Sequence, residues 1–288
     1  MLYKEYEPEV LRKLQKAEIE ILKDFDAMCE KHGIDYFVCG GTAIGGVRHQ
    51  GFIPWDDDID IGMTRDDYEH FLKVAGTEYG DKYGVINPDI DSNFPAILTK
   101  WYRKGTLFRN QEMIDLGLSI GIAIDIFCFD NVADDVKSLK KQGMWAWIWG
   151  KFLTLRLVKN PSLYVDGWKA KAVTFVAGIL HKFLDCLHIS PSFFYKKAVK
   201  AATKYKMVHT GRIGYLFDPQ PYTSKVGKSD IYPTVKRKFE DIELRFPCHV
   251  EKYLEWRYGK DYMELPPEDK RHNHAPEELD FGEVFADL

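Results

Sequence analysis

The sequence predicts a mixed α/β or α+β fold in which a sheet core carries a helical insertion. Helix and strand patterns alternate through the first 135 residues, which is typical of such a core. The segment IGIAIDIFCF (120–129) is apolar at nearly every position, which predicts a central strand covered on both faces. From residue 136 to about 207 the pattern changes to long helical stretches rich in tryptophan and lysine, which predicts the insertion.

The first predicted element is an amphipathic helix that runs from Val10 to Met28. Its apolar residues recur at helical spacing, and Gly33 is a suitable residue to end the helix. The segment IDYFVC (34–39) follows as a strand candidate, because it is rich in aromatic and β-branched residues.

A short helix and a second strand come next in the chain. TAIGGVRH (42–49) is the predicted helix, and residues 59–63 are the predicted strand. Thr64 then caps a further helix, with Asp67 at the third position of a near capping box. Residues 96–102 are another strand candidate.

Composition excludes several classes of protein. The 288 residues carry 40 Lys and Arg against 44 Asp and Glu, so we expect no nucleic-acid partner. The five cysteines are scattered without a CxxC pair, which argues against a zinc ribbon or a disulfide framework and favours a reducing compartment. The longest apolar stretch has about eight residues, whereas about 20 are needed to span a bilayer. We therefore expect a cytoplasmic protein, soluble or peripheral on a membrane.

The chemistry is concentrated in GGTAIGGVRHQGFIPWDDDIDIGM (40–63). Residues two apart in a strand project to the same face, so Asp58 and Asp60 are expected to aim two carboxylates at one point. Such a pair suits Mg²⁺, which prefers a few carboxylates together with substrate phosphates. The alternative is a solvated acidic turn. The flanking Ile59 and Ile61 favour a half-buried strand, where unpaired carboxylates are costly without a cation.

A third carboxylate is expected from Asp125, which stands alone inside the apolar strand 120–129. An isolated ionised aspartate in a central strand is expensive unless it faces a cation or hydrogen-bond donors. We therefore assign Asp58, Asp60 and Asp125 both as Mg²⁺ ligands and as the catalytic residues. A structural role for Asp125, such as capping a neighbouring loop, is the alternative.

Gly40, Gly41 and Thr42 follow a strand and open a helix, so their backbone N–H groups favour phosphate. The segment is neither a P-loop nor a GxGxxG fingerprint, because no Gly-Lys-Ser/Thr follows and the glycine spacing differs. Glycines at the end of a strand are usually just turns. Their position ahead of the paired aspartates is what makes these two notable.

The run from residue 40 to residue 63 resembles the signature of the LicD family, which includes the fukutin-related proteins. Three more segments support the resemblance: LTKWYRKGT (98–106), AIDIFCFDNV (123–132) and YGKDYMELPPEDKRHNH (258–274). It implies a nucleotidyltransferase-like catalytic core over residues 1–135 and a C-terminal segment, 208–288, that completes the active site. Residues 136–207 are the least diagnostic part.

The resemblance also implies an activity, the Mg²⁺-dependent transfer of a phosphorylated alcohol from a CDP-linked donor to a sugar hydroxyl, releasing CMP. The expected donor is CDP-choline, and the expected acceptor is a teichoic acid or lipopolysaccharide precursor, a glycan or lipid-linked glycan. The zinc site of the fukutin-related proteins has no counterpart among the scattered cysteines here.

Further residues in the family-like segments are expected to bind the donor or acceptor. Basic residues would neutralise phosphate charge, although each is by default a solvated surface residue. These residues are Arg48, Lys100, Arg103, Lys270, Arg271 and His274. A choline headgroup favours aromatic ring faces, for which Trp55, Trp101 and Tyr102 are the candidates.

The insertion, residues 136–207, has two interpretations. Trp145 and Trp149, with lysines around them, resemble an interfacial helix that contacts the inner face of a membrane. A buried helical cap is the alternative.

Two other functions stay open at this stage. One is a nucleotidyltransferase that moves a nucleoside monophosphate from an NTP to a small acceptor, because it would use the same glycines and paired aspartates. The other is a non-catalytic, membrane-associated scaffold built on a decayed enzyme fold.

Overall fold

The computed structural model describes residues 6–159, 167–219, 224–271 and 273–288, and it confirms a mixed α/β architecture. The helices of this part are α1 (Pro8–His32), α2 (Gly40–His49), α3 (Arg65–Thr77), α4 (Gln111–Asp115), α5 (Val136–Leu157), α6 (Gly167–Cys186), α7 (Pro191–Ala202), α8 (Lys228–Ile231) and α9 (Val250–Tyr258). The strands are β1 (Phe37–Val38), β2 (Asp60–Thr64), β3 (Tyr83–Ile86), β4 (Thr99–Arg103), β5 (Leu107–Arg109), β6 (Ala123–Val132), β7 (Arg212–Tyr215), β8 (Ser224–Gly227), β9 (Val235–Phe239), β10 (Ile242–Phe246) and β11 (Glu278–Asp280).

The main sheet is mixed and has seven strands. Five of them run in the order β1-β2-β6-β4-β3, and β7 joins the end of β6 with β8 beside it. Among the strands of this sheet that the structure describes, β2 and β6 pair in parallel and the other pairs are antiparallel. The ten-residue β6 contacts three other strands, as expected for the apolar segment predicted to be central.

Helix α1 covers the sheet with a continuous apolar stripe. Leu14, Ile21, Phe25 and Met28 are fully buried in the main core, which also contains the apolar residues of β2 and β6. The helix ends where the sequence predicts, because Gly33 adopts a left-handed conformation with φ +63° and donates its N–H to the last turn.

The helix after β2 also begins as predicted. Thr64 is its N-cap, and its hydroxyl accepts a hydrogen bond from the backbone N–H of Asp67. In contrast, β1 has only two residues of the six expected. Three of the four missing residues lie before Phe37, and after the strand Gly40, at φ +54°, turns the chain into α2.

The helical insertion packs against the sheet, where Tyr195 and Val199 of α7 line a small cavity together with Ile126 and Cys128 of β6. Leu153 of α5, Leu184 of α6 and Phe194 of α7 form the apolar centre of this unit. The Thr154 hydroxyl of α5 donates to the backbone oxygen of Pro95 at 3.2 Å, which ties the unit to the segment before β4. Within the described ranges, none of the helices combines the length and apolar content that a transmembrane span requires.

Candidate active site

Three charged residues lie side by side on adjacent strands of the main sheet. Asp60 of β2 is the register partner of Asp125 of β6, and Asp125 is the register partner of Lys100 of β4. Register partners project to the same face, and neighbouring strands are about 4.8 Å apart. The sheet therefore brings the two predicted carboxylates together, with the ammonium group of Lys100 in an ion pair with Asp125.

Asp58 joins this row from the loop before β2. The sequence predicts Asp58 and Asp60 on one strand, but the strand starts at Asp60. The backbone N–H of Asp60 donates to the Thr42 hydroxyl at 2.8 Å, which holds the start of the strand against α2. Asp58 Oδ2 lies 3.0 Å from His274 Nδ1, so the loop position still directs this carboxylate into the site.

Gly40 and Gly41 lie directly beneath the carboxylate of Asp60. The Gly41 N–H donates to Asp60 Oδ2 at 3.2 Å, so this N–H is directed to a carboxylate of the site. A Cβ on Gly40 would lie 1.8 Å from the same oxygen, and one on Gly41 would lie 2.7 Å from Asp56 Oδ2. The sequence predicts these glycines as a phosphate cradle, whereas their contacts here are with the acidic side chains.

Glu18 of α1 is a site residue that the sequence analysis missed. It is buried, lines the same cavity as Asp58 and Asp125, and its Oε2 has no hydrogen-bond partner among the described residues. A signal was available, because position 18 falls within the apolar stripe of α1, where a glutamate is out of place.

Asp57 was also missed, and it holds both ends of the chain near the site. Its Oδ1 accepts the backbone N–H of His274 at 2.7 Å, and its Oδ2 accepts the Tyr6 hydroxyl at 2.5 Å. The hydrogen bond from His274 to the buried Asp57 carboxylate thus holds the C-terminal segment at the site. Each oxygen of this carboxylate accepts one hydrogen bond.

Crowding and burial shift the protonation of these groups. Burial, followed by the charge of Asp58, raises the pKa of Asp60, Asp56 and Glu18 well above their usual range. Burial also raises the pKa of Asp125, although Lys100 opposes the shift.

The pKa values of the two cations next to the carboxylates are also raised, which favours their charged forms. Hydrogen bonds to Asp57 and Asp58 raise the pKa of His274 to about 12, so its imidazole is charged at neutral pH. Burial disfavours the charge of Lys100, but Asp125 outweighs it and raises the pKa. Burial also works against an ionised Asp58, yet the His274 hydrogen bond prevails and lowers its pKa.

A cavity of about 230 Å³ extends from these residues between α1, α4 and the sheet. At its polar end lie Glu18, Asp58, Lys100, Asp125 and His274. The apolar residues of its lining include Phe94, Leu98, Met113 and Ile120, which pack together, and Phe108, and Glu112 also lines the cavity. The cavity thus joins a charged end to an apolar end, as a small-molecule site requires.

The remaining basic residues do not reach this cavity. Arg48 donates to the backbone oxygens of Tyr262 and Glu264, Arg103 donates to the Lys82 oxygen, and Arg271 lies 4.3 Å from the ring centre of Trp55. Lys270 is exposed at the end of a short 3₁₀ turn. Of the predicted basic residues, only Lys100 and His274 contact the carboxylates.

The three aromatic candidates also lie elsewhere. Trp101 is fully buried in the core and stacks on Tyr83 at 3.8 Å, and the guanidinium of Arg271 covers Trp55. Tyr102 packs over Gly84. The rings that line the cavity are instead Phe94 and Phe108.

The donor set suits Mg²⁺, although the described residues contain no closed group of three metal-binding side chains. The oxygens that Asp58, Asp60, Asp125 and Glu18 offer to a cation are carboxylate oxygens, which are ligands that Mg²⁺ prefers. Burial, followed by repulsion from Asp58 and Asp125, raises the pKa of Asp60, and Glu18 Oε2 lacks a partner, so a cation would relieve both costs. An open protein site is expected for Mg²⁺, because substrate phosphates and water complete its shell.

Comparison with known proteins gives consistent matches. Residues 33–140 match the family model described as LicD/FKTN/FKRP, nucleotidyltransferase domain. The chain is 29% identical over 271 residues to the lipopolysaccharide cholinephosphotransferase LicD of Haemophilus influenzae, covering 93% of this chain and 97% of the relative. It is 37% identical over 60 residues to the human ribitol 5-phosphate transferase FKRP, covering 20% of this chain and 12% of that protein. An uncharacterized protein of Rickettsia typhi is 44% identical over 55 residues, covering 19% of this chain and 18% of that protein.

Proposed function

We propose that this protein is a phosphotransferase that moves a phosphorylated alcohol onto a glycan hydroxyl, because residues 33–140 match the LicD/FKTN/FKRP nucleotidyltransferase domain and the chain resembles a LicD cholinephosphotransferase over most of its length. The most specific form of the proposal has CDP-choline as the donor, CMP as the leaving product and a teichoic acid or lipopolysaccharide precursor as the acceptor. The relatives whose names state an activity are transferases of phosphocholine or of ribitol phosphate.

The observation that carries the proposal is the convergence of Asp58, Asp60 and Asp125: Asp58 and Asp125 line one cavity, and Asp60 is the register partner of Asp125. They come from a loop and two parallel strands, and Lys100 and His274 are beside them. Phosphoryl transfer needs mainly positioning and neutralisation of charge. This arrangement has cations for the phosphates and carboxylates for a metal and a proton.

We propose Asp58, Asp60 and Asp125 as the Mg²⁺ ligands. When bound, Mg²⁺ would neutralise charge on the donor pyrophosphate and on the carboxylates themselves. Lys100 and His274 are the protein's own cations at the same place, and we propose that they hold phosphate oxygens of the donor.

The transfer itself requires a base near the acceptor hydroxyl. In the proposed step, the hydroxyl oxygen forms a bond to the phosphorus that bears the alcohol, while the bond from that phosphorus to the CMP oxygen breaks. The hydroxyl proton passes to the Asp125 carboxylate. Asp125 is placed for this role because its carboxylate lines the cavity next to Lys100.

The apolar end of the cavity supports choline as the alcohol. Phe94 and Phe108 present aromatic rings, which attract quaternary ammonium groups. No cationic side chain of the described residues pairs with Glu112, whose pKa is raised by burial and by Asp115. A cationic headgroup would compensate this carboxylate, whereas ribitol would need hydrogen-bond partners along an apolar wall.

The setting that we propose is the cytoplasm, at the inner face of the membrane that carries a lipid-linked acceptor. All five cysteines are free thiols, including Cys186, which is exposed. Free exposed thiols suit a reducing compartment.

A donor screen tests the function. The purified protein is incubated with Mg²⁺, a glycan acceptor and either CDP-choline, CDP-ribitol or a panel of NTPs, and release of CMP or pyrophosphate is measured. We expect CMP from CDP-choline, and a loss of about 10³-fold or more with Asp58→Asn, since a group that stabilises the transition state is removed. Asp81→Asn, an exposed substitution elsewhere, is the control and should match the wild type.

The other outcomes identify the rivals. Pyrophosphate release from an NTP would replace the proposal with nucleotidyl transfer, and CMP release from CDP-ribitol alone would change the alcohol. Absence of product with every donor would favour a non-catalytic scaffold.

A further inference from the structure

The charge of this protein is distributed very unevenly. Residues 136–207, which contain α5, α6 and α7, carry 14 Lys and Arg but only two Asp and no Glu. The rest of the chain carries 26 Lys and Arg against 42 Asp and Glu. The helical insertion is therefore strongly basic, whereas the part that holds the active site is acidic.

The same insertion exposes a continuous apolar stripe on α6. Phe175 is 71% exposed, Val176 61%, Ile179 55% and Phe183 57%. Their spacing places them on one arc of the helix, while Ala177 and Leu184 face inward and are buried. Soluble helices normally place polar residues on such a face.

Exposed aromatic side chains on the neighbouring helices add to the apolar surface. Trp145 of α5 is 49% exposed and Phe193 of α7 is 43% exposed. Both rings lie against Trp149, at centre distances of 6.3 Å and 6.1 Å. The large rings are thus held in place by packing and still face outward.

From these observations we propose that the α6 stripe, Phe175, Val176, Ile179 and Phe183, docks the protein on the surface of an anionic membrane. A lipid surface accommodates both features, because its acyl boundary takes aliphatic and aromatic side chains and its headgroups attract lysine. A nucleic acid would use the positive charge but would leave the aliphatic stripe in water. A second copy of this chain would bring two basic surfaces together.

The lysines around the stripe are available for lipid headgroups. Lys182 lies on the same arc of α6, and Lys196 and Lys200 are exposed on α7. Within the described part of the chain, no acidic side chain pairs with any of these three. The attraction acts over about 10 Å in physiological salt, so the net charge of the whole insertion contributes.

The docked insertion would lie next to the cavity of the active site. Thr154 of α5 is hydrogen-bonded to Pro95, and Pro95 lines the cavity. The docking does not depend on the proposed chemistry. Only its use, which is to bring the cavity to a lipid-linked acceptor, rests on the proposed function.

Vesicle flotation tests the docking with the full-length protein. Vesicles of phosphatidylcholine, with or without phosphatidylglycerol, are floated with the wild type, with Ile179→Asp/Phe183→Asp, and with Lys182→Glu/Lys196→Glu/Lys200→Glu. We expect the wild type to float with phosphatidylglycerol, and salt to weaken the binding. The aspartate variant should bind about tenfold less or weaker still, because two inserted apolar side chains become charged. The glutamate variant should lose about fivefold in affinity for each lysine removed near the surface.

The matched control is Leu265→Asp, which places the same charge on another exposed aliphatic residue outside the insertion. It should float like the wild type. Hydrogen exchange on vesicles gives a second readout that needs no variant, and residues 174–187 should gain protection. Release of CMP with a soluble acceptor separates the two proposals, since the aspartate variant should retain this activity.

The docking proposal is overturned if the aspartate variant floats like the wild type, or if phosphatidylglycerol makes no difference to the wild type. It is also overturned if light scattering shows a dimer that Ile179→Asp/Phe183→Asp dissociates, since the stripe would then be an interface between copies.

Discussion

At the scale of single residues, the position of the Asp60 carboxylate depends on the absence of a side chain at residue 40. Gly40 has φ +54°, and a Cβ there would lie 1.8 Å from Asp60 Oδ2. Both the backbone conformation and the space therefore require glycine. Gly40 precedes the paired aspartates in the sequence and contacts Asp60 in the structure, and its contact with a substrate phosphate stays a prediction.

We predict that Gly40→Ala lowers the free energy of unfolding by more than the cost of left-handed strain, which is about 1–2 kcal/mol for a residue with a Cβ. The alanine must also displace Asp60, so CMP release should fall at least as far as with Asp60→Asn. Urea unfolding and the donor assay measure the two effects.

Gly33→Ala is the control for Gly40→Ala. Gly33 has φ +63° but nothing within 4 Å of its added Cβ, so the substitution introduces strain without a clash. It should destabilise by about 1 kcal/mol and leave the activity unchanged. Equal effects of the two substitutions on activity would contradict the role given to Gly40.

For Glu18 and Asp57, the sequence does not reveal the contacts that place them in the site. Glu18 interrupts an apolar stripe, and this irregularity predicts a buried carboxyl but does not say what it faces. Asp57 is one of three consecutive aspartates, and nothing local distinguishes the one that holds Tyr6 and His274. These partners are 51 and 217 residues away in the sequence, so only the folded chain identifies them.

At the scale of elements, a buried ion pair lies at the C-terminal end of the parallel pair β2–β6. Arg65, at the start of α3, donates to both oxygens of Asp130 of β6, at 2.9 Å and 2.8 Å. The side chains are 13% and 1% exposed. Asp130 is thus an ion-pair partner within β6, and the N-cap of the following helix α5 is Asp135. The ion pair ties α3 to the strand that carries Asp125.

We predict that Arg65→Met destabilises the protein by about 3–5 kcal/mol at pH 7, because it leaves a buried carboxylate without its partner. Without Arg65, burial raises the folded-state pKa of Asp130 further above its unfolded value of about 4. The stability lost is therefore largest at neutral pH and should shrink as the pH falls toward 4. Urea unfolding at several pH values measures this.

Lys31→Met is the surface control for Arg65→Met. Lys31 pairs with Glu78, but the two side chains are 61% and 38% exposed, so its loss should leave the free energy of unfolding close to that of the wild type. Arg65→Met/Asp130→Leu should regain most of the stability, since no charge is left buried. A double variant as unstable as Arg65→Met would contradict this account.

The elements that the sequence predicted well are those with a strong apolar pattern. Helix α1 and strand β6 are long and apolar, and both were predicted within a few residues. The β9–β10 hairpin was missed because VKRKF and IELRF are rich in charge, and their inward residues alternate with exposed ones. Short edge elements such as β1 depend on pairing with β2, which a local pattern does not reveal.

At the scale of the whole molecule, the site draws on nearly the full length of the chain. Glu18 comes from α1, Asp58 from a loop, Asp125 from the central strand and His274 from the C-terminal segment. The sequence predicted three carboxylates around one point because Asp125 is isolated in an apolar strand. The roles of Arg48, Arg103 and Arg271 were not predictable, since each contacts a partner that only the tertiary structure brings near.

Because the carboxylates come from distant segments, binding of Mg²⁺ should stabilise the entire fold. A ligand that binds only the folded state at ten times its Kd adds about 1.4 kcal/mol, which corresponds to about 3 °C in Tm for a chain of this size. We predict this increase for the wild type when Mg²⁺ is titrated in a thermal unfolding assay without substrate.

Asp60→Asn should abolish the Mg²⁺-dependent increase without lowering the Tm measured in EDTA. Burial and the charges of Asp58 and Asp125 raise the pKa of Asp60, so a neutral side chain removes a repulsion when no cation is present. Asp81→Asn, which removes one negative charge from the surface, should retain the full response and so excludes a general effect of charge. If Asp60→Asn responds to Mg²⁺ as the wild type does, Asp60 is not a ligand. The like charges would then have to be balanced by Lys100 and His274 alone.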